Sequence, residues 1–215
     1  MKRIKVLGEG KKKKILVRNS TPGKTFFSET ERDGWRILSP YNSKFGAAIM
    51  KGLSENVIQE GDKVLYLGAS HGYTVSFVSD IVGDKGLIYA VEFAPEVAKE
   101  LVFLSEQRKN IAPILVDANQ PKNYPEIGKV DVIYQDLAQK NQAEILIKNL
   151  KFLKEDGIVL FAAKARSIDV TMQPSKVFKG LETILKDSFS GLKVLILDPY
   201  EKDHAFYMGK SKHLK

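Results

Sequence analysis

The sequence contains no cysteine and only three histidines, His71, His204 and His213. Without cysteine there is neither a disulfide nor a thiolate metal site, and the histidines fall in no metal-ligand spacing, so no metal is expected. No apolar run approaches the ~20 residues that span a bilayer. The opening MKRIKVLGEGKKKK lacks the apolar core of a secretory signal. These absences lead us to expect an intracellular, cytoplasmic chain with no membrane to engage.

What is present is an ordinary globular composition over 215 residues, 43% apolar and 28% charged, enough for one full domain and an extension. The net charge of +8 is unevenly placed. Residues 1–55 hold 13 Lys and Arg against 5 Asp and Glu, whereas residues 56–215 hold 21 of each. The whole excess therefore lies in the first quarter. A basic surface of this kind serves a polyanion such as RNA or DNA backbone, or it serves only solubility, and charge alone leaves both readings open.

Residues 1–55 read as a basic, β-rich extension packed on the main domain, residues 56–215. Ile4–Leu7, Ile15–Arg18 and Thr25–Phe27 are short apolar or β-branched runs. Gly8-Glu9-Gly10, Asn19-Ser20 and Pro22-Gly23 are turn signals between them. Two small hairpins follow, with Lys11 to Lys14 near a turn. From about residue 57, strands and helices alternate. Strands are expected at Lys63–Gly68, Leu87–Val91, Ile114–Val116, Val130–Gln135 and Gly157–Ala163. Helices are expected at Thr74–Val82, Pro95–Arg108, Gln139–Leu153 and Pro174–Lys186. That alternation implies a mostly parallel sheet covered on both faces. Two last strands, Lys193–Leu197 and His204–Met208, are joined by too few residues for a helical crossover and should be antiparallel.

The strongest local signal is Val64-Leu65-Tyr66-Leu67-Gly68-Ala69-Ser70-His71-Gly72-Tyr73-Thr74, a buried strand entering a glycine turn and then a helix. A dinucleotide fingerprint would need glycine where Ser70 and Tyr73 stand, and the Gly-Lys-Ser/Thr ending of a phosphate loop is absent. Gly68-x-x-x-Gly72 suits a ligand without a diphosphate. Glu92 ends the second strand, where a carboxylate can accept both ribose hydroxyls. Asp117 ends the third, within reach of an adenine amino group, with Ala118 beside the ring; Asp136 ends the fourth. A single acid after a strand is commonly a cap or turn residue. Three at successive strand ends, beside the glycine loop, point to S-adenosylmethionine at the carboxyl edge of the sheet. His71 is read as an exposed loop residue.

Methyl transfer to a hydroxyl needs a base, and lysine is one candidate. Lys164 follows the apolar run Ile158–Ala163 and so emerges at the ligand edge, although a lysine there also suits a surface stem. Asp136 lies at the adjacent strand end. His204 opens the last strand and returns to the crevice if that strand is central. Sequence reasoning does not bring Lys44, ahead of the apolar stretch Phe45–Met50, into the site.

Across nearly its whole length the chain resembles the archaeal fibrillarins, the methyltransferases of box C/D guide ribonucleoproteins. The matching segments are Tyr41–Ile49, Tyr66–Thr74, Val91-Glu92-Phe93, Asp117-Ala118, Gln135–Gln139, Lys164–Asp169 and Asp198–Ala205, in this order and spacing. The resemblance implies an α/β, Rossmann-like class I S-adenosylmethionine-dependent methyltransferase with a mostly parallel seven-stranded sheet, a terminal antiparallel strand and a small N-terminal β-hairpin region. It implies 2′-O-methylation of ribose in rRNA and tRNA, a Lys44, Asp136, Lys164 and His204 constellation, and cofactor contacts at Tyr73-Thr74, Glu92-Phe93, Asp117-Ala118 and Asp136-Leu137-Ala138-Gln139. The chain departs from the family at Asn42, usually arginine, at Phe45, usually leucine, and at Tyr73, commonly threonine. No glycine-arginine-rich tail of the eukaryotic kind is present, as expected of an archaeal-type protein. No zinc motif, RNA-recognition aromatic pair or sequence-reading helix is evident, so target choice should lie elsewhere. The resemblance supplies a box C/D guide RNA, a Nop-domain scaffold protein and a kink-turn-binding protein as partners. Two other readings stand beside it: a methyltransferase acting on protein or a small molecule, and a catalytically silent RNA-binding subunit.

Overall fold

The fold is that of a computed structural model describing residues 2–212, so His213 lies outside the described residues. The chain opens with an antiparallel sheet of β1 (Ile4–Leu7), β2 (Lys14–Arg18), β3 (Glu31–Arg32) and β4 (Trp35–Leu38), in the order β1-β2-β4-β3. Two hairpins form, but the second differs from the one expected. Thr25–Phe27 is not a strand: the N–H groups of Phe26 and Phe27 donate to the Glu29 carboxylate, which takes the place of a neighbouring strand. The second hairpin turns instead at Asp33-Gly34, where φ is 53° and 75°. Those paired positive angles match the twist of a two-residue hairpin, and Asp-Gly is the pair that adopts them readily.

The main sheet contains β5 (Lys63–Leu67), β6 (Leu87–Glu92), β7 (Ile111–Leu115), β8 (Val130–Asp136), β9 (Leu153–Lys164), β10 (Phe189–Ile196) and β11 (His204–Ser211). Their order is β10-β11-β9-β8-β5-β6-β7. The first five strands in chain order run parallel, and β11 pairs antiparallel with both β9 and β10. The last strand in sequence is thus an interior strand in space. The third strand begins three residues earlier than expected and ends at Leu115, because Pro113 hides the run; an edge strand such as β7 tolerates proline. The strand expected at Gly157 extends back to Leu153, and the one expected at Lys193 starts at Phe189.

Alternate strand residues serve opposite faces. Val64, Tyr66, Val132, Tyr134 and Phe206 pack toward α1 (Lys44–Met50), α2 (Tyr73–Val82), α3 (Pro95–Gln107) and the small sheet. Leu65, Leu67, Ile133, Phe161 and Tyr207 pack toward α4 (Gln142–Asn149) and α6 (Pro174–Ser188). With both faces covered, the central stretches of the parallel strands are apolar on both sides, as Val64-Leu65-Tyr66-Leu67 illustrates. The short α5 (Ala165–Ile168) follows β9 directly.

Besides apolar contact, a buried ionic cluster joins the small sheet to α2 and the end of α3. Arg36 on β4 is wholly buried and pairs with Glu29 at 2.5 Å and Asp80 of α2 at 2.6 Å. Arg108, after α3, pairs with the other oxygen of Asp80. Burial raises the pKa of Glu29, but Arg36 and the Phe27 N–H outweigh it and hold the carboxyl below its ordinary range. The guanidinium of Arg36 also lies 4.0 Å from the Phe77 ring centroid. No described helix is long and apolar enough to cross a membrane.

Candidate functional site

Strand order reverses between β5 and β8, and open α/β sheets bind ligands at the carboxyl ends flanking such a point. A crevice of about 500 Å³ opens there. Gly68, Glu92, Phe93, Ala118, Asp136, Leu137, Ala138 and Gln139 line it, with Lys44, Lys164 and His204. The volume lies within the range of small-molecule sites.

Glycine is required at position 68. Its φ is +85°, and a Cβ would collide with the carbonyl oxygen of Asp136. The ends of β5 and β8 approach that closely, which brings Asp136 beside the loop. The N–H groups of Gly68 and Ala69 both donate to the Val91 carbonyl at 3.0 Å, tying the loop to β6. The carboxylate of Glu92 accepts Ser70 N–H on Oε2 at 2.7 Å, and Phe93 and Ala94 N–H on Oε1 at 2.8 and 2.9 Å. Three backbone donors therefore fix the acid in place. A carboxylate offers about four lone-pair sites, so Oε2 retains one to accept from a ligand hydroxyl.

At the other end of the crevice, Lys44 Nζ lies 3.1 Å from Asp136 Oδ2, with both side chains about a quarter exposed. Sequence reasoning does not bring Lys44 here. Its placement comes from Ser43, which caps α1 by accepting Gly46 N–H at 3.2 Å and accepts the Thr74 hydroxyl at 3.0 Å. Lys44 is the first residue of that helix and so starts at the edge of the sheet. Lys164 ends β9, and its register partner on β11 is His204. The interior position of β11 is what returns His204 to the crevice. His204 Nδ1 lies 2.7 Å from the Lys202 carbonyl, which accepts from the Nδ1–H tautomer and leaves Nε2 as an acceptor.

Four residues expected to contact the cofactor do not line the crevice. Gly72, with φ +95°, opens α2 and lies against α3, where a Cβ would meet Leu104 at 2.8 Å. Tyr73 is buried on the opposite side, packed edgewise on Phe27 and at 5.3 Å from the Phe77 centroid; its hydroxyl accepts Ser39 N–H. Burial raises its pKa. The Thr74 hydroxyl is engaged with Ser43. Asp117 lies two residues past the end of β7, and its carboxylate accepts Asn119 N–H at 2.8 Å in a turn. Its neighbours Val116 and Ala118 do line the wall. Ser70 and Glu201, which sequence reasoning does not single out, line it as well. Ser70 has φ +51°, an angle no sequence pattern announces.

The residues present fit S-adenosylmethionine. A methionine-nucleoside ligand needs an apolar slot for a base, a hydroxyl acceptor and polar groups near a charged tail. Val91, Val116, Ala118 and Leu137 supply the first, the remaining lone pair of Glu92 the second, and the Gly68–Ser70 loop with Asp136 the third.

Comparison with known proteins identifies the family. The family model described as Fibrillarin matches residues 2–213. A fibrillarin-like rRNA/tRNA 2′-O-methyltransferase of Pyrococcus furiosus is 47% identical over 209 residues, covering 94% of this chain and 92% of that one. Among solved structures, fibrillarin in a fibrillarin/Nop5p complex superposes with a TM-score of 0.89 at 39% identity, covering 99% of each chain. Aeropyrum pernix fibrillarin with natively bound S-adenosyl-L-methionine gives 0.81 at 43% identity, covering 92% of this chain and 89% of that one.

Proposed function

This chain belongs to the fibrillarin family and is an S-adenosylmethionine-dependent RNA 2′-O-methyltransferase; from that premise we propose how its crevice performs the transfer and what it works with. Bound S-adenosylmethionine supplies an electrophilic methyl group. Glu92 accepts from the ribose of the cofactor, Phe93 and Ala118 flank its base, and the segment Asp136 to Gln139 closes the inner wall. Gly68 and Gly72 shape the loop, and Tyr73 and Thr74 serve through the start of α2. Asp117 contributes through the turn it holds.

The observation that carries the assignment is the convergence of Lys44, Asp136, Lys164 and His204 at one end of the crevice, from four separate elements. Lys44 is ion-paired with Asp136, and an ion-paired ammonium donates rather than accepts. Among the described residues no carboxylate lies within 4.0 Å of the Lys164 amine. We therefore assign Lys164, reacting in its neutral amine form, to take the proton of the target 2′-hydroxyl, while Lys44 and Asp136 orient that hydroxyl. His204 accepts through Nε2 and steadies the lysines. Single-turnover methylation in the assembled particle, read by nucleoside analysis of the RNA, tests this. Lys164→Ala and Asp136→Ala should each cost at least ~10²-fold, the scale of a lost positioned acid-base group. Wild-type rates for both overturn the assignment.

The target is rRNA, and tRNA as well, at sites chosen by a box C/D guide RNA. A Nop-domain scaffold docks the subunit, as Nop5p does fibrillarin in the solved complex, and a kink-turn-binding protein joins through the RNA. Residues 1–55 form the basic extension, residues 56–215 the methyltransferase domain. Efficient site-specific methylation by the purified chain, without guide or scaffold, contradicts this division of labour.

A further inference from the structure

We propose that Gln142 is the residue that positions Lys164 for proton removal. The inference rests on the assignment of Lys164 as the base. The β8–β9 ladder reaches Asp136, whose register partner is Ala162. Lys164 therefore lies two residues beyond the last rung, at the point where β8 has already turned away into the crevice loop. On the β11 side His204 is its register partner, and the ladder bond there is made by the next residue, Ala165, whose N–H donates to the Asp203 carbonyl at 3.0 Å; the N–H and carbonyl of Lys164 itself face the β8 side. On the β8 side its N–H and carbonyl would have no strand to meet.

The side chain of Gln142, the first residue of α4, fills that place. Its Oε1 accepts Lys164 N–H at 3.2 Å, and its Nε2 donates to the Lys164 carbonyl at 3.3 Å. One amide side chain thus reproduces both bonds of a missing ladder rung. Gln142 is itself wholly buried, and its own carbonyl accepts Gln135 Nε2 at 2.7 Å. Gln135 is also wholly buried and immediately precedes Asp136. The chain Gln135–Gln142–Lys164 therefore ties the peptide that carries Asp136 to the peptide that carries Lys164, past the point where the ladder ends. A hydrophobic residue of equal size at 142 would preserve packing and release the Lys164 peptide on one side. An error of about 1 Å at a reacting group can cost ~10²-fold in rate, so loss of this tether is expected to lie between ten-fold and that limit. Gln142 does not line the crevice and acts only through Lys164.

The test is a double-mutant cycle of Gln142→Leu and Lys164→Ala, read by single-turnover methylation in the complete particle with guide RNA and scaffold. The expected result is a loss of about ten-fold or more for Gln142→Leu, an S-adenosylmethionine Kd within about two-fold of wild type, and no further loss when Lys164 is already alanine. Coupled residues behave in this non-additive way, whereas general damage to the fold lowers the rate whether or not the amine is present. Should Gln142→Leu fail to fold, Gln142→Met, closer in length and also unable to make either bond, replaces it in the cycle and should show the same non-additivity. A wild-type rate for the folded variant, or an equal loss in both backgrounds, overturns the positioning role. If Lys164→Ala itself methylates normally, the assignment of the base fails first; if Lys164→Ala is impaired and Gln142→Leu is not, only the role of Gln142 fails.

Discussion

The buried ion pairs beneath the small sheet and the ion pair at the crevice differ in what they leave open. In the cluster that joins the small sheet to α2 and α3, Arg36 and Asp80 are wholly buried and every acid oxygen is engaged. At the crevice, Lys44 and Asp136 are each about a quarter exposed, and Lys164 has no acid partner among the described residues. The acids of the buried cluster complete their bonds within the protein, so they serve the fold. The crevice leaves bonds unmade, and those are the bonds we assign to the substrate. The same residue types therefore have opposite roles according to whether their hydrogen-bonding capacity is spent.

Removing one member of each cluster puts this contrast to its hardest test. Arg36→Ala should destabilise the chain by about 3–5 kcal/mol in denaturant unfolding, the usual cost of stranding a buried charge. Per folded molecule its methylation rate should stay near wild type. Lys164→Ala and Asp136→Ala should do the reverse, with a ~10²-fold loss in rate and an unfolding midpoint that does not move. A site substitution that unfolds the chain, or an Arg36 variant that is stable but inactive, would erase the distinction.

A smaller effect is expected at Glu92, which belongs to both kinds of chemistry because three backbone N–H groups hold it and one lone pair remains. Glu92→Gln should weaken S-adenosylmethionine binding by about ten-fold in calorimetry; an unchanged Kd would assign the acid to the loop alone. Acid titration gives a finer test of the buried cluster. The carboxyl of Glu29 lies below the ordinary glutamate value of 4.5. A depressed folded value means that its contribution is present above 4.5 and is lost as pH falls through the lower, folded value. The stability difference between wild type and Glu29→Gln should therefore hold near neutrality and shrink only in more acid solution. The smallest effect concerns Lys12, Lys13 and Lys14, which are exposed at the first turn of the small sheet. Replacing them with glutamine should flatten the salt dependence of RNA binding by roughly 0.7–0.9 for each phosphate they neutralise. An unchanged slope leaves those lysines to solvent.

The parts legible from residue order are those set by local chemistry. The glycine turn after Leu67 and the acids at Glu92 and Asp136 can be read directly, because a parallel strand covered on both faces is a bare apolar run and its end is abrupt. The third strand is displaced from its expected place because Pro113 interrupts the run, and Asp117 moves into a turn with it. The Asp33-Gly34 hairpin is less conspicuous in the sequence than Thr25–Phe27, whose donors are met by Glu29 rather than by a strand. Tyr73 cannot be placed from sequence alone, since a helix start has both a crevice side and a core side. The aromatic group of Phe27 and Phe77 decides for the core.

Residue order is sufficient for the alternating α/β plan, the class of ligand edge and the family, because these depend on periodicity, glycine and short motifs that neighbouring residues specify together. Which charges meet is settled in three dimensions. Lys44 reaches Asp136 across 92 positions through a helix capped by Ser43, and His204 meets Lys164 because the last strand inserts between β9 and β10. Gln142 supplies a rung that no strand provides. Strand order and capping are long-range consequences of burying two faces of one sheet, and the separation along the chain of the residues they unite carries no trace of it.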